Sequence, residues 1–380
     1  MDKVYFDYAA TTPVDPRAFK AMNPFFRDKF GNSVSLHSFG QEAKKALEKS
    51  REKIAGLLSC KPAEIIFTGS ATESNNLALK GLAFANKKKH IIISSIEHPC
   101  VLETAEWLEK QGFKITKIPV NKEGLIDLGL LEKSIGKETL AVSVIHASNE
   151  IGTIQPIEKI GKICKEKGVY FHTDAAQSFG KVPLDLRNVD LLTASSHKIY
   201  GPKGAAFLFV REGVNIEPLL HGGGQEKGLR SSTVNIPAIV GFAKASEIAF
   251  SEIEEESKRL AKLRDKLIKG VLKIEESRLN GHAQKRLSNN ANFRFSFIEG
   301  ESLILKLNEK GIAASTGSAC SSAKLEPSHV LLALGLKPEE AHGSLRVTLG
   351  RWTTEKEVNY FLKVLPKIVK SLRKISPFYE

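Results

Sequence analysis

The sequence predicts an α/β protein, with a large domain built on a mostly parallel sheet and a smaller α+β domain after it. Three observations predict this. Between about residues 60 and 210, seven short runs rich in Ile and Val alternate with helical patterns. From about 252 to 276 a long charged stretch spaces Leu260, Leu263, Leu267 and Val271 by three and four, the apolar stripe of one helix. Beyond it, "NNANFRFSF", "ESLILKLNEKGI" and "GSLRVTLGRW" mix strand and helix patterns without a repeat.

In chain order the seven strand runs are "EIIFTG", "HIIISSIEH", "FKITKIPV", "LAVSVIHAS", "VYFHTDAAQ", "LLTASSHK" and "AAFLFV". Each is short and apolar, and most end in a polar cluster. Ligands of parallel sheets sit at the carboxyl ends of the strands, so those clusters mark where a site should lie. The charged helix is read as the crossing into the second lobe, with residues 1–15 as an N-terminal segment packing on the small domain, 16–251 as the large domain and 252–380 as the small domain.

Composition narrows the class. Over 380 residues, 42% are hydrophobic and 26% charged, an ordinary globular balance. Runs such as "HIIISSI" and "HVLLALGL" fall short of the roughly 20 residues of a membrane helix, so no membrane span is expected. The start, "MDKVYFDYAATTP", has no basic region followed by an apolar one, which reads as cytoplasmic. The four cysteines lie far apart and indicate neither a disulfide framework nor a zinc site. Net charge is +13, but the lysines alternate with glutamates, as in "EIEEESKRLAKLRDKLIKG". That pattern reads as a solvated face able to attract an acidic protein, with no direct nucleic-acid partner expected.

Four places carry chemistry. In "FTGSATESNN" a strand turns on Gly69 into a helix, with Ser70 and Glu73 at capping-box spacing. The amides of Ala71 and Thr72 then form an anion cup at the helix N-terminus. Asp174 ends an apolar strand, where an unpaired carboxylate is costly. Its partner is either His172, on the same side of the strand, or a protonated ring nitrogen of a ligand. Lys198, two dozen residues on, is either a solvated loop tip or a desolvated amine reactive toward carbonyls. An acid for a pyridinium nitrogen, a lysine amine and a phosphate cup together suit pyridoxal 5'-phosphate. The fourth place is Cys320 in "ASTGSACSSAK", a thiol among small residues suited to an exposed loop, whereas Cys60, Cys100 and Cys164 read as structural.

Eight segments, "YFDYAATTPVDP", "FTGSATESNN", "IEHPCVLET", "ASNEIGTIQPI", "HTDAAQSFGKVPLDL", "SSHKIYGPKG", "HGGGQEKGLRSST" and "TGSACSSAKLEPSHVL", resemble in order and almost end to end the cysteine desulfurases of the NifS/IscS type. These are fold-type I pyridoxal phosphate enzymes. The resemblance implies that Lys198 holds the cofactor covalently and that Asp174 pairs with its ring nitrogen. It implies that His98 stacks on the ring and assists proton transfers, and that Asn149 and Gln177 bond near the phenolic oxygen. Ala71, Thr72, Ser195 and His197 are implied to hold the phosphate, joined by Thr233 from the second subunit of a homodimer. Arg346 is implied to pair with the substrate carboxylate, with Asn149 also facing the substrate.

By the same resemblance Cys320 takes sulfur from L-cysteine as a persulfide, leaving L-alanine, and passes it to an iron–sulfur scaffold protein or another acceptor such as a tRNA thiolation pathway. No resident metal is implied, although Cys320 can transiently ligate a cluster with the scaffold. The chain departs from the family pattern at Gly69-Ser70, at Ser232 before Thr233, and after the asparagine of "GNSVSLHSFG", where no proline follows. Two rival readings are a selenocysteine lyase or other fold-type I aminotransferase, which does not require Cys320, and a non-catalytic scaffold, which requires none of Lys198, Asp174 and Cys320.

Overall fold

The computed structural model describes residues 3–317 and 327–377; Cys320 lies outside the described residues. Its strands in chain order are β1 (Val4–Tyr5), β2 (Ile65–Thr68), β3 (His90–Ser94), β4 (Lys114–Ile118), β5 (Thr139–Ser143), β6 (Tyr170–Asp174), β7 (Leu191–Ser195), β8 (Ala206–Val210), β9 (Ser277–Asn280), β10 (Asn290–Phe295), β11 (Ile312–Ala313) and β12 (Ser344–Thr348). The seven runs read from the sequence are β2 to β8, one strand each, in the order β2-β8-β7-β6-β5-β3-β4.

Strands β4, β3, β5, β6 and β7 pair in parallel. β8 runs antiparallel to both β7 and β2. The reversal at β8 has a simple cause: only residues 196–205 link it to β7, and a parallel crossover needs a dozen residues or more. Strands β3, β5, β7 and β8 are buried along their whole length. Helices cover both faces, hence the unbroken apolar runs in place of alternation.

A second sheet, β12-β10-β9, is antiparallel. It carries its own core, in which Phe293, Phe295, Leu345 and Val347 meet Leu303, Leu307, Phe361 and Leu365 from two helices. The N-terminal segment joins this core: β1 pairs in parallel with β11, and Val4 and Phe6 are buried there.

The helix expected at about 252–276 is longer and begins earlier, spanning Ile236–Val271. Asn235 caps it by accepting from the Ala238 amide at 3.2 Å, and Pro237 sits in its first turn. Ile236, Ile239 and Phe242 pack into the main core, whereas Leu260, Leu263 and Leu267 pack into the second. Continuity was hidden in the sequence because the helix serves two cores, with a charged, more exposed stretch between them. Among the described residues, no helix is long and apolar enough to cross a membrane.

Candidate active site

The carboxyl ends of β3, β5, β6 and β7 lie side by side in the sheet, and the polar residues that follow them meet there. β7 ends at Ser195 and passes into one tight turn, Ser196–Lys198. Glycine at 201 lets the chain leave this turn close against it, since a Cβ there would lie 2.1 Å from Ser196 Oγ and force that hydroxyl to move. The turn sends the Lys198 amine back across the strand ends, where Nζ donates to the carbonyls of Ala9 at 2.6 Å and Ala10 at 2.7 Å. Gln177 Nε2 donates to the same Ala9 carbonyl at 2.9 Å. The His197 carbonyl accepts from the Thr12 amide, and its Nδ1 lies 3.1 Å from Thr11 Oγ1. A stretch of the N-terminal segment thus lies against the end of β7.

Asp174 is buried at the end of β6. Its Oδ1 accepts from the Ala176 amide at 2.8 Å and its Oδ2 from Asn75 Nδ2 at 2.7 Å. Neither donor is a cation, and among the described residues Asp174 makes no ion pair. His172 is not its partner. That imidazole is fully buried between neighbouring strands, 2.8 Å from Ser143 Oγ and 3.3 Å from Thr193 Oγ1. Burial pushes its pKa down to about 3, so it is neutral. Residues two apart on a strand share a face but stand about 7 Å from each other, and lateral hydroxyls satisfy His172 first.

The Ala71–Ala85 helix begins beside β2. Ser70 Oγ accepts from the Glu73 amide at 3.1 Å, the first half of the expected capping box. The second half is absent: the Glu73 carboxylate accepts instead from the Gly69 amide at 2.8 Å and pairs with Arg230 at 2.7 Å. The Ala71 and Thr72 amides have no partner among the described residues, as first-turn amides of a helix do unless a ligand accepts from them. Ser195 is buried. Burial, helped by Lys198, Lys203 and Lys181, pushes the His197 pKa down to about 4, leaving a neutral ring that can donate one N–H.

His98 follows β3 as the N-cap of the Pro99–Lys110 helix, its Nδ1 accepting from the Cys100 amide at 3.2 Å. Burial lowers its pKa, with Lys198 and His329 adding to the effect and Asp174 opposing it. Asn149 lies in the loop after β5, and its carbonyl accepts from Arg346 Nη1 at 3.0 Å. Arg346, buried on β12, also pairs through Nη2 with Asp7 at 2.8 Å. Its buried Nε has no partner among the described residues. Thr233 is exposed and its side chain bonds to none of these groups among the described residues.

Of the residues singled out in the sequence, direct contacts therefore join Lys198 and Gln177 through Ala9, and Arg346 to Asn149. Residues not singled out make the connections: Asn75 on Asp174, Asp7 on Arg346, and the Ala9 and Ala10 carbonyls on Lys198. Asn75 had a signal, because it lies four residues after Ala71 on one helix face. The Ala9 and Ala10 contacts use backbone atoms and leave no side-chain trace. Chemically, the cluster offers a cation seat at Asp174, an anion seat at Ala71 and Thr72, a primary amine and a guanidinium with a spare donor.

The family model for class-V aminotransferases matches residues 4–361. The chain is 54% identical to the cysteine desulfurase IscS 1 of Archaeoglobus fulgidus, over 99% of each chain. Among solved structures, a NifS-like protein superimposes with a TM-score of 0.92 at 43% identity, covering 97% of this chain and all of the other. A structure described as SspA in complex with cysteine gives a TM-score of 0.82 at 39% identity, covering 92% of this chain and all of the other.

Proposed function

Given that the chain belongs to the class-V aminotransferase family and is a cysteine desulfurase, we propose that it uses pyridoxal 5'-phosphate at the Asp174–Lys198 cluster and carries sulfur on Cys320. The observation that carries this reading is the buried Asp174 carboxylate, on which no cation sits among the described residues. A buried charge without a counter-charge is expensive, and a protonated pyridine nitrogen supplies one. The rest of the donor set fits the same group. Lys198 provides the amine that holds it, and Ala71, Thr72, Ser195 and His197 provide hydrogen-bond donors for a phosphate. Thr233 adds another from the second subunit of a homodimer, which suits its exposure in a single chain. His98 would pack against the cofactor and assist proton transfers, while Asn149 and Gln177 would hydrogen-bond it. When bound, the cofactor supplies an electron sink for charge developing at the substrate Cα.

The chain's own residues then have definite tasks. Arg346 binds the L-cysteine carboxylate in its planar fork, with Nε as the spare donor. Lys198 moves the proton at Cα, its amine kept in place by the Ala9 and Ala10 carbonyls. The Cys320 thiolate attacks the substrate sulfur, so that an S–S bond forms as the C–S bond breaks. The enzyme gains a persulfide, and L-alanine leaves with the proton. The sulfur acceptor is an iron–sulfur scaffold or a thiolation protein in the cytoplasm. The molecule divides near residue 252, within the Ile236–Val271 helix, with residues 1–15 belonging to the smaller part.

The test is a single turnover with L-cysteine, quantifying alanine and mapping the persulfide by peptide mass in wild type and Cys320→Ala. One alanine per active subunit and a persulfide on the Cys320 peptide, both lost in the variant, are expected. Undiminished alanine in the variant would remove Cys320 from the reaction.

A further inference from the structure

Cys100 and Asn75 make a connected set of hydrogen bonds that the reaction as described leaves unused. Asn75 is fully buried, and its Nδ2 lies 2.7 Å from Asp174 Oδ2 and 3.1 Å from Cys100 Sγ. A carboxylate only accepts, so the amide must turn its NH2 group toward Asp174. The same NH2 group then donates its second proton to the Cys100 sulfur. The Thr72 hydroxyl also bonds to this sulfur, which lies 3.0 Å from His98 Nδ1, where the thiol can donate its proton. The Cys100 backbone amide, which can only donate, also points at Nδ1, from 3.2 Å. Two donors therefore converge on one ring nitrogen.

We propose that Cys100, held by Asn75, is a positioning residue that keeps His98 as a neutral imidazole with its proton on Nε2. A ring nitrogen that accepts cannot carry a proton, and the hydrogen bond at one nitrogen decides the protonation of the other. The helix adds to this. His98 is the N-cap of the 12-residue Pro99–Lys110 helix, whose N-terminal partial positive charge opposes an imidazolium there. Other groups acting on the ring are Lys198 after β7 and His329 on the His329–Ala333 helix, which disfavour protonation, and Asp174 on β6, which favours it. The thiol suits the role, because burial first and Asp174 next push its pKa up to about 12, so that it stays a donor. Nε2 makes no hydrogen bond among the described residues and can present its proton to a ligand. The consequence for the reaction rests on the reading of His98 as an active-site group; the tautomer does not.

The experiment measures exchange of the His98 C2 hydrogen by mass spectrometry against pH, in the purified holoenzyme, for wild type, Cys100→Ala and Cys100→Ser. Losing the thiol donor should raise the His98 midpoint in the alanine variant, and a serine hydroxyl should bring it back toward wild type. One common midpoint in all three folded proteins overturns the proposal. The acid limb of alanine formation, followed in parallel, should move up in pH with the alanine variant, with about a fivefold loss of rate at its acid end, the worth of one hydrogen bond. A raised midpoint with an unmoved acid limb upholds the tautomer and removes His98 from the rate-limiting chemistry instead.

Discussion

Replacing Glu97 by Gln should make the protein more stable than wild type at alkaline pH and leave it nearly unchanged in acid. Glu97 is fully buried beside His98. Its Oε1 accepts from the Ile145 amide at 2.7 Å and from Ser94 Oγ, while Oε2 has no partner among the described residues. Burial pushes its pKa from 4.5 up to about 8, with the Asp174 charge pushing the same way and the two hydrogen bonds opposing. Unfolded, the group titrates near its ordinary value, so between those two pH values the folded state holds the extra proton. The stabilisation is complete below about 4.5 and is lost as pH rises through about 8. At about 1.4 kcal/mol per pH unit, the gap sets a ceiling of about 5 kcal/mol, and relaxation around a buried charge reduces it to about half. Glutamine has no proton to lose. With an unfolding entropy of about 0.8 kcal/mol/K for a chain of this length, the Tm advantage of Glu97→Gln should grow by about 3–6 °C between roughly pH 5 and 9. Circular dichroism melts at constant ionic strength measure it. Parallel Tm-versus-pH curves for the two proteins would refute the reasoning.

Asp174→Asn keeps the shape but removes the charge, and should weaken pyridoxal phosphate binding by about tenfold or more, the worth of a hydrogen bond to a charged group; titrating cofactor into the apoprotein while following visible absorbance checks it. Arg346→Lys keeps a cation without the planar fork, so KM for L-cysteine should rise by about 10- to 100-fold with kcat less affected, as read from initial rates. Lys181 has a half-buried stem and a buried Nζ without a partner among the described residues, and burial, aided by Lys198, lowers its pKa from 10.5 to about 7. Its cost to stability accumulates as pH falls from 10.5 to about 7, so Lys181→Met should gain about 1–3 kcal/mol at neutral pH and little near pH 11 in denaturant melts.

Much of this molecule was legible before its structure. Six of the seven main-sheet strands stood out as largely apolar runs because they are buried in the sheet, while edge strand β4, with Lys114 and Lys117 exposed, showed only its Ile115 and Ile118. Lys198 and Asp174 stood out because a charged residue directly after such a run is costly unless it is used. The Ile236–Val271 helix was read too short, since a helix serving two cores changes its apolar face midway. His172 and Asp174 stood open as a pair, and lateral hydroxyls on the neighbouring strands separated them. The expected capping box was only half formed because Arg230, far along the chain, draws the Glu73 carboxylate away.

By itself the sequence determined the elements, the family and the residue types at the strand ends, because these depend on periodicity, local turn chemistry and order along one chain. Tertiary structure alone decided which groups touch. Lys198 meets Ala9 and Ala10, Arg346 meets Asp7, and Asn75 joins Asp174 to Cys100 across 99 and 25 residues of chain. Such contacts depend on how the sheet orders its strands and how the N-terminal segment lies across their ends. No local pattern encodes that, because a backbone carbonyl or a turned amide becomes a partner only when packing brings a distant donor or acceptor within hydrogen-bonding distance.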